Sequence, residues 1–144
     1  MQRAALAVLV LTNGVVGLWA LALPRSFYDD FPGVGRVWVA VDGPYNEHLV
    51  RDVGGLYLAL AFVAAVALVS GSVLVARAAG GAALIFGVPH LLYHAVNLDP
   101  FGTADAVALV TSLALAVVAA LAALAAPARP RSTGADHAGP VAGP

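Results

Sequence analysis

The chain has 144 residues, a length typical of one domain, and it contains no cysteine. Its residues are 61% hydrophobic and 10% charged, whereas soluble domains average about 25% charged. A soluble fold of this size cannot bury so much apolar surface, so the composition predicts a membrane protein. The net charge of −1 offers nucleic acid no attraction, and the missing thiols exclude disulfides and thiolate metal ligands.

The first apolar segment covers residues 4–23 and has about the 20 residues that a membrane-spanning helix needs. Arg3 before it and the sequence Ala20-Leu21-Ala22 near its end also fit a secretory signal with a cleavage site. The apolar part of a signal usually has only about 7–15 residues. The segment is therefore predicted to remain in the membrane as helix one.

The longest loop, residues 24–43, follows helix one and mixes aromatic with acidic side chains. These side chains are Phe27, Tyr28, Asp29, Asp30, Phe31, Trp38 and Asp42. Aromatic rings beside charges are typical of the headgroup level of a bilayer, where polarity changes steeply. Within the loop, the β-branched residues 37–41 favour an extended segment, although the sequence shows no partner strand for it.

Three further apolar segments predict helix two over residues 44–69, helix three over 73–97 and helix four over 104–126. Pro44 suits the first turn of helix two, with Asp42 or Gly43 as its cap. Thr103 is the predicted cap of helix four, and Pro89 predicts a kink in helix three because it removes a backbone donor.

The predicted fold is all-α, a membrane-spanning four-helix bundle over residues 1–126 with the long loop between helices one and two. Residues 127–144 are rich in Pro, Gly and Ala and contain few large apolar side chains. This composition predicts a disordered C-terminal tail.

The strongest functional signal is a set of polar side chains at the start of helix two and the end of helix three. Antiparallel helices bring these two stretches to the same membrane level, and helical spacing puts His90, His94 and Asn97 on one face with Gly80, Ala83 and Gly87. The candidate ligand-binding residues are Glu47, His48, Arg51, Asp52, His90, Tyr93, His94 and Asn97. Asp99 and Asp105 follow just beyond them.

Four interpretations of this set stay open, and one of them is enzymatic acid–base catalysis by these side chains. The side chains can simply pair with one another and hold the helices in register. A non-enzymatic protein can use them to bind a small molecule, a lipid or a protein partner, with Arg51 meeting an anionic headgroup. Alternatively, His90, His94, His48 and Asp52 can ligate a transition metal, or histidines can ligate haem, in a membrane oxidoreductase. Ionisable groups inside a membrane favour a functional role.

Arginine counts predict the orientation in the plasma membrane. Four spans put both termini on one side with Arg3, Arg77, Arg129 and Arg131, and leave Arg25, Arg36 and Arg51 on the other. The positive-inside rule therefore favours cytoplasmic termini by a narrow margin. The expected partner is the lipid bilayer, with a homo-oligomer left open.

The segment Arg51-x-x-Gly54-Gly55-Leu56-Tyr57-Leu58-Ala59-Leu60 resembles small, uncharacterised four-span bacterial membrane proteins that carry an arginine and a glycine pair at this place. The resemblance extends over about residues 4–126 and is specific only in that short stretch. It implies four helices in a bacterial envelope, and it implies no activity.

Overall fold

The computed structural model describes residues 1–125, and in that range it contains five α-helices and one two-stranded hairpin. The helices are α1 (Gln2–Ala22), α2 (Pro24–Asp30), α3 (Glu47–Ser70), α4 (Val73–Val96) and α5 (Thr103–Leu124), and the strands are β1 (Pro32–Gly33) and β2 (Arg36–Val37). All but α2 are long and apolar enough to cross a membrane, which confirms the predicted all-α, multi-pass fold. The predicted tail, residues 127–144, lies outside the described residues.

The helix caps differ from the predicted ones at two places. α3 begins at Glu47 because the Asn46 side chain accepts a hydrogen bond from the Leu49 N–H at 3.1 Å, so the prediction of Asp42 or Gly43 as the cap is wrong. Thr103 was the predicted cap of this helix, but it is the first residue of α5, and Gly102 is the cap. In the turn between α3 and α4, Gly71 has φ 64° and ends α3 in the left-handed conformation.

The four long helices form an up-and-down bundle in the cyclic order α1, α3, α4, α5. The most extensive packing is between α1 and α3, followed by α4 and α5. Glycines permit both close approaches. Gly17 and Gly54 face each other across α1 and α3, and Gly80 faces the backbone of α5. Small residues at such crossings let membrane helices meet backbone to backbone.

The buried core is concentrated at the end of the bundle where α1 begins and α5 ends. It consists of small and aliphatic residues from all four long helices: Ala5, Leu6, Leu9, Ala64, Ala67, Ala76, Ala79, Ala119, Ala120 and Ala123. The buried residues of α4 all lie in its first eight positions, and its remaining residues, 81–96, contribute none. The bundle is therefore closed at one end, and α4 is loosely packed at the other.

The segment between α1 and α3 is more ordered than a simple loop. α2 continues almost directly from α1, and β1 pairs with β2 in antiparallel register, with Pro32 opposite Val37. The extended segment predicted over residues 37–41 is thus shorter and begins earlier, and its partner is Pro32–Gly33 within the same loop. Burial of Phe27 and Trp38 against neighbouring aromatic rings anchors the segment.

Candidate functional site

The segment of residues 24–46, here called the cap, is tied to α4 and α5 by polar contacts. Asp105 at the start of α5 accepts hydrogen bonds from Arg36 Nη1 at 2.6 Å and from Trp38 Nε1 at 2.9 Å. The Tyr93 hydroxyl of α4 donates to Asp42 Oδ1 at 3.4 Å. The cap therefore lies across the loosely packed end of the bundle and contacts both helices there.

Beneath the cap, aromatic rings and imidazoles form a continuous row between α3 and α4. We call Tyr57, Phe86, His90, His94 and Phe101 the histidine row. The His90 ring stacks on Phe86 with centroids 5.3 Å apart, and Phe86 meets Tyr57 of α3 edge-on at 5.0 Å. His94 is edge-on to His90 at 4.8 Å and reaches Phe101 at 6.4 Å. Both histidines are half-buried.

The Nδ1 atom of His94 is buried and, within residues 1–125, has no hydrogen-bond partner. A buried nitrogen without a partner costs about 1–3 kcal/mol relative to a satisfied one. Asp42 is connected to the row through Tyr93, whose hydroxyl donates to Asp42 Oδ1 and whose ring stands edge-on to His94. The histidine row thus contains, at the loosely packed end of the bundle, a buried nitrogen that no described residue hydrogen-bonds.

The polar residues of α3 are engaged elsewhere. Arg51 Nε donates to Glu47 Oε1 at 2.9 Å, and Arg51 Nη1 donates to the Leu21 carbonyl of α1 at 2.5 Å. His48 and Asp52 approach each other at 3.3 Å, with side chains 88% and 61% exposed. The structure therefore divides the predicted set into two groups, one on α3 beside α1 and one on α4 beneath the cap.

Asn97 has a structural role at the end of α4. Its Nδ2 donates to the Tyr93 carbonyl at 2.7 Å, which satisfies one of the carbonyls that a helix end leaves open. Tyr93 in turn contacts Asp42 and stands edge-on to His94 at 5.3 Å. These two residues position the end of α4 and connect the cap to the histidine row.

Metal ligation was predicted for His90, His94, His48 and Asp52. In the described part of the chain, no three His, Cys, Asp or Glu side chains form a group that could hold a metal ion. His48 pairs with Asp52 on an exposed face of α3, and His90 pairs with His94 on α4. The two pairs belong to the two separate groups described above.

Sequence reasoning missed four members of this region: Tyr57, Phe86, Phe101 and Asp42. Phe86 lies one turn before His90, and residues 86, 90 and 94 follow the i, i+4 spacing of one helix face. The sequence pattern could therefore have indicated that Phe86 is next to His90. Phe101 and Asp42 come from loops, where no periodicity indicates the direction of a side chain. Their positions depend on how the cap folds.

In a comparison with known proteins, no family model, no curated protein and no solved structure matches the chain. The resemblance carried by residues 51–60 therefore stays a prediction.

Proposed function

We propose that this protein is a multi-pass protein of the plasma membrane that binds a small, bilayer-soluble ligand at the histidine row. The observation that carries the proposal is the Nδ1 atom of His94, which is buried beneath the cap and has no hydrogen-bond partner among residues 1–125. Buried polar atoms in proteins nearly always have a partner, and the surrounding protein shields this Nδ1 atom from solvent. A ligand with a hydroxyl or carbonyl group supplies the missing hydrogen bond.

The loose packing of α4 gives such a ligand a route from the bilayer. Residues 81–96 contribute nothing to the buried core, and Ile85 beside the row is 79% exposed. An apolar molecule dissolved in lipid reaches the row sideways, between α3 and α4, without crossing the cap. The ligand class is therefore apolar overall, with a polar group at one end.

The rings of the row favour a flat head group. Phe86 and His90 already stack with an interplanar angle of 19°, and Phe101 closes the other end beyond His94. Aromatic stacking contributes about 0.5–1.5 kcal/mol beyond the burial of area. A ring that carries carbonyl or hydroxyl groups, as in a quinone or quinol, satisfies both the stacking and the hydrogen-bonding requirement.

The test is a titration of the full chain, labelled with ¹⁵N in its histidines, with a short-chain benzoquinone and its quinol in bilayers. We expect the imidazole nitrogens of His94 to shift on binding while those of His48 do not. His94→Ala is expected to weaken binding about tenfold, the value of one hydrogen bond of about 1.4 kcal/mol. His48→Ala is the matched control, because His48 is exposed on α3. Equal binding by both variants contradicts the proposal.

The alternative, a metal- or haem-dependent membrane oxidoreductase, uses the same histidines and has a separate readout. Bound haem gives a strong visible absorption band, and a bound transition metal gives a stoichiometric metal content. His90→Ala and His94→Ala would abolish either signal. Such a signal, lost in both variants, would favour the alternative over the binding of an organic ligand.

We also propose that both termini are cytoplasmic and that the cap faces outward. The support is the arginine count of four on the side of the termini against three on the side of the cap. A reporter active only in the cytoplasm is expected to be active when fused after residue 126 and inactive when inserted at residue 35. Activity at residue 35 alone reverses the orientation.

A further inference from the structure

A second candidate site lies at the junction of α1, α2 and α3, separate from the histidine row. It is an open groove of about 430 Å³ lined by Ala22, Leu23, Pro24, Arg25, Ser26, Tyr45, Glu47 and Arg51. Two membrane-spanning helices have their ends here, since α1 ends at Ala22 and α3 begins at Glu47. The groove therefore lies at the level where lipid headgroups meet water.

Arg51 is held in this groove by two hydrogen bonds, one to Glu47 and one to the last turn of α1 at the Leu21 carbonyl. A guanidinium has five N–H donors in a rigid planar fork, and these bonds use two of them. The remaining donors keep the geometry that suits two oxygens of a phosphate. Arg51 is thus fixed in place, with donors left for a ligand.

Arg25 brings a second guanidinium to the same groove. Its Nε donates to Asp29 at 2.6 Å, and its Cζ lies 5.0 Å from the ring centre of Tyr45 and 5.6 Å from that of Tyr28. The hydrogen bond to Asp29 raises the pKa of Arg25, so the guanidinium stays charged. Its Nη atoms are not used by the bond to Asp29.

The charge around the groove selects the kind of headgroup. The charged residues that line the groove are Arg25, Arg51 and Glu47, so two guanidiniums stand beside one carboxylate. Glu47 lines the groove beside Arg51 and offers a carboxylate to a cation. A phosphate joined to a nearby ammonium matches this arrangement, since each end meets its opposite charge.

Apolar residues next to the groove suit the acyl chains of such a lipid. Leu23, one of its lining residues, is 61% exposed, and Leu18 lies on the exposed surface of α1 toward the membrane interior. A lipid bound by its headgroup in the groove lays its chains along this surface of α1. A soluble phosphate compound has no acyl chains, so it gains no binding energy from this apolar surface.

We propose that this groove binds the headgroup of a zwitterionic phospholipid, with its phosphate on Arg51 and Arg25 and its ammonium at Glu47. Phosphatidylethanolamine fits best, because its primary ammonium donates hydrogen bonds to a carboxylate. The site is independent of the histidine row and of the ligand proposed there.

The test is a titration of the full-length protein in detergent with phosphatidylethanolamine, followed by native mass spectrometry. We expect Arg25→Gln to reduce the affinity at least tenfold, because it removes a charge-assisted contact without disturbing a buried group. Arg77→Gln is the matched control, since α4 carries this arginine near the opposite end of the bundle. Arg51→Lys is a second variant that keeps the charge but loses the planar fork, and the same loss is expected.

Three further measurements decide the identity of the ligand. Glu47→Gln is expected to remove the preference for phosphatidylethanolamine over phosphatidylglycerol, and soluble phosphoethanolamine is expected to compete poorly because it has no acyl chains. His94→Ala should leave lipid binding unchanged, which separates this site from the histidine row. The proposal is overturned if phosphatidylglycerol binds more tightly to the native chain, if inorganic phosphate competes as well as the lipid, or if both arginine variants bind like Arg77→Gln.

Discussion

Replacing Gly54 by leucine is expected to separate α1 from α3 and to destabilise the bundle strongly. A Cβ atom at Gly54 would lie 2.6 Å from the Leu21 backbone nitrogen and 3.0 Å from the Gly17 carbonyl oxygen. These are backbone atoms of a packed helix, so they cannot turn aside as the end of a flexible side chain can. Overpacking typically costs about 1–3 kcal/mol, and a backbone obstacle puts Gly54→Leu at or above the upper end of that range.

The matched control is Gly55→Leu, one residue further along the same helix. Beyond its own helix backbone, a Cβ at Gly55 meets no atom of residues 1–125 within 4 Å, so the new side chain extends into the surrounding lipid. Thermal unfolding in detergent, followed by circular dichroism, is expected to show a clear fall in Tm for Gly54→Leu only. Similar Tm values for the two variants would mean that α1 and α3 do not meet at Gly54.

The second large effect is expected at Gly80, where α4 meets α5. A Cβ there would lie 2.6 Å from the Ala120 carbonyl oxygen and 2.7 Å from the Leu124 nitrogen. This contact belongs to the alanine-rich end of the bundle, which contains most of the buried core. Gly80→Leu is therefore expected to cost about 3 kcal/mol and to loosen α5 from the bundle.

Hydrogen exchange of the α5 backbone amides measures that loosening directly. We expect faster exchange across Thr103–Leu124 in Gly80→Leu than in Gly81→Leu. Beyond its own helix backbone, a Cβ at Gly81 meets no atom of the described residues within 4 Å. Unchanged exchange in Gly80→Leu would show that the close α4–α5 contact is absent in the membrane. Both glycine pairs compare neighbouring residues of one helix, so differences in helix propensity cancel.

Local sequence signals were sufficient for the number of membrane-spanning helices and for their approximate bounds. Hydropathy over about 20 residues is a property of each segment, and the turn at residues 70–72 depends on Gly71 and its neighbours alone. The sequence also predicted that Arg51 and His94 lie at the same membrane level. Consecutive spans run in opposite directions, so the start of α3 and the end of α4 lie on the same side of the membrane. These features need no knowledge of the contacts between helices.

The tertiary structure alone decided which faces of the helices meet. Gly54 and Gly55 are identical in the sequence, yet a rotation of about 100° per residue puts one against α1 and the other toward lipid. Hydrophobic patterning cannot distinguish them, since in a membrane the outward face is as apolar as the inward face.

The contacts of the polar residues and of the cap were likewise not predictable from the sequence. Arg36 and Trp38 reach Asp105 across more than sixty residues of sequence, and Asp42 reaches Tyr93 across more than fifty. Such contacts depend on how the cap folds over the bundle. For this reason the sequence predicted one polar set, whereas packing placed Arg51 beside α1 and His94 beneath the cap.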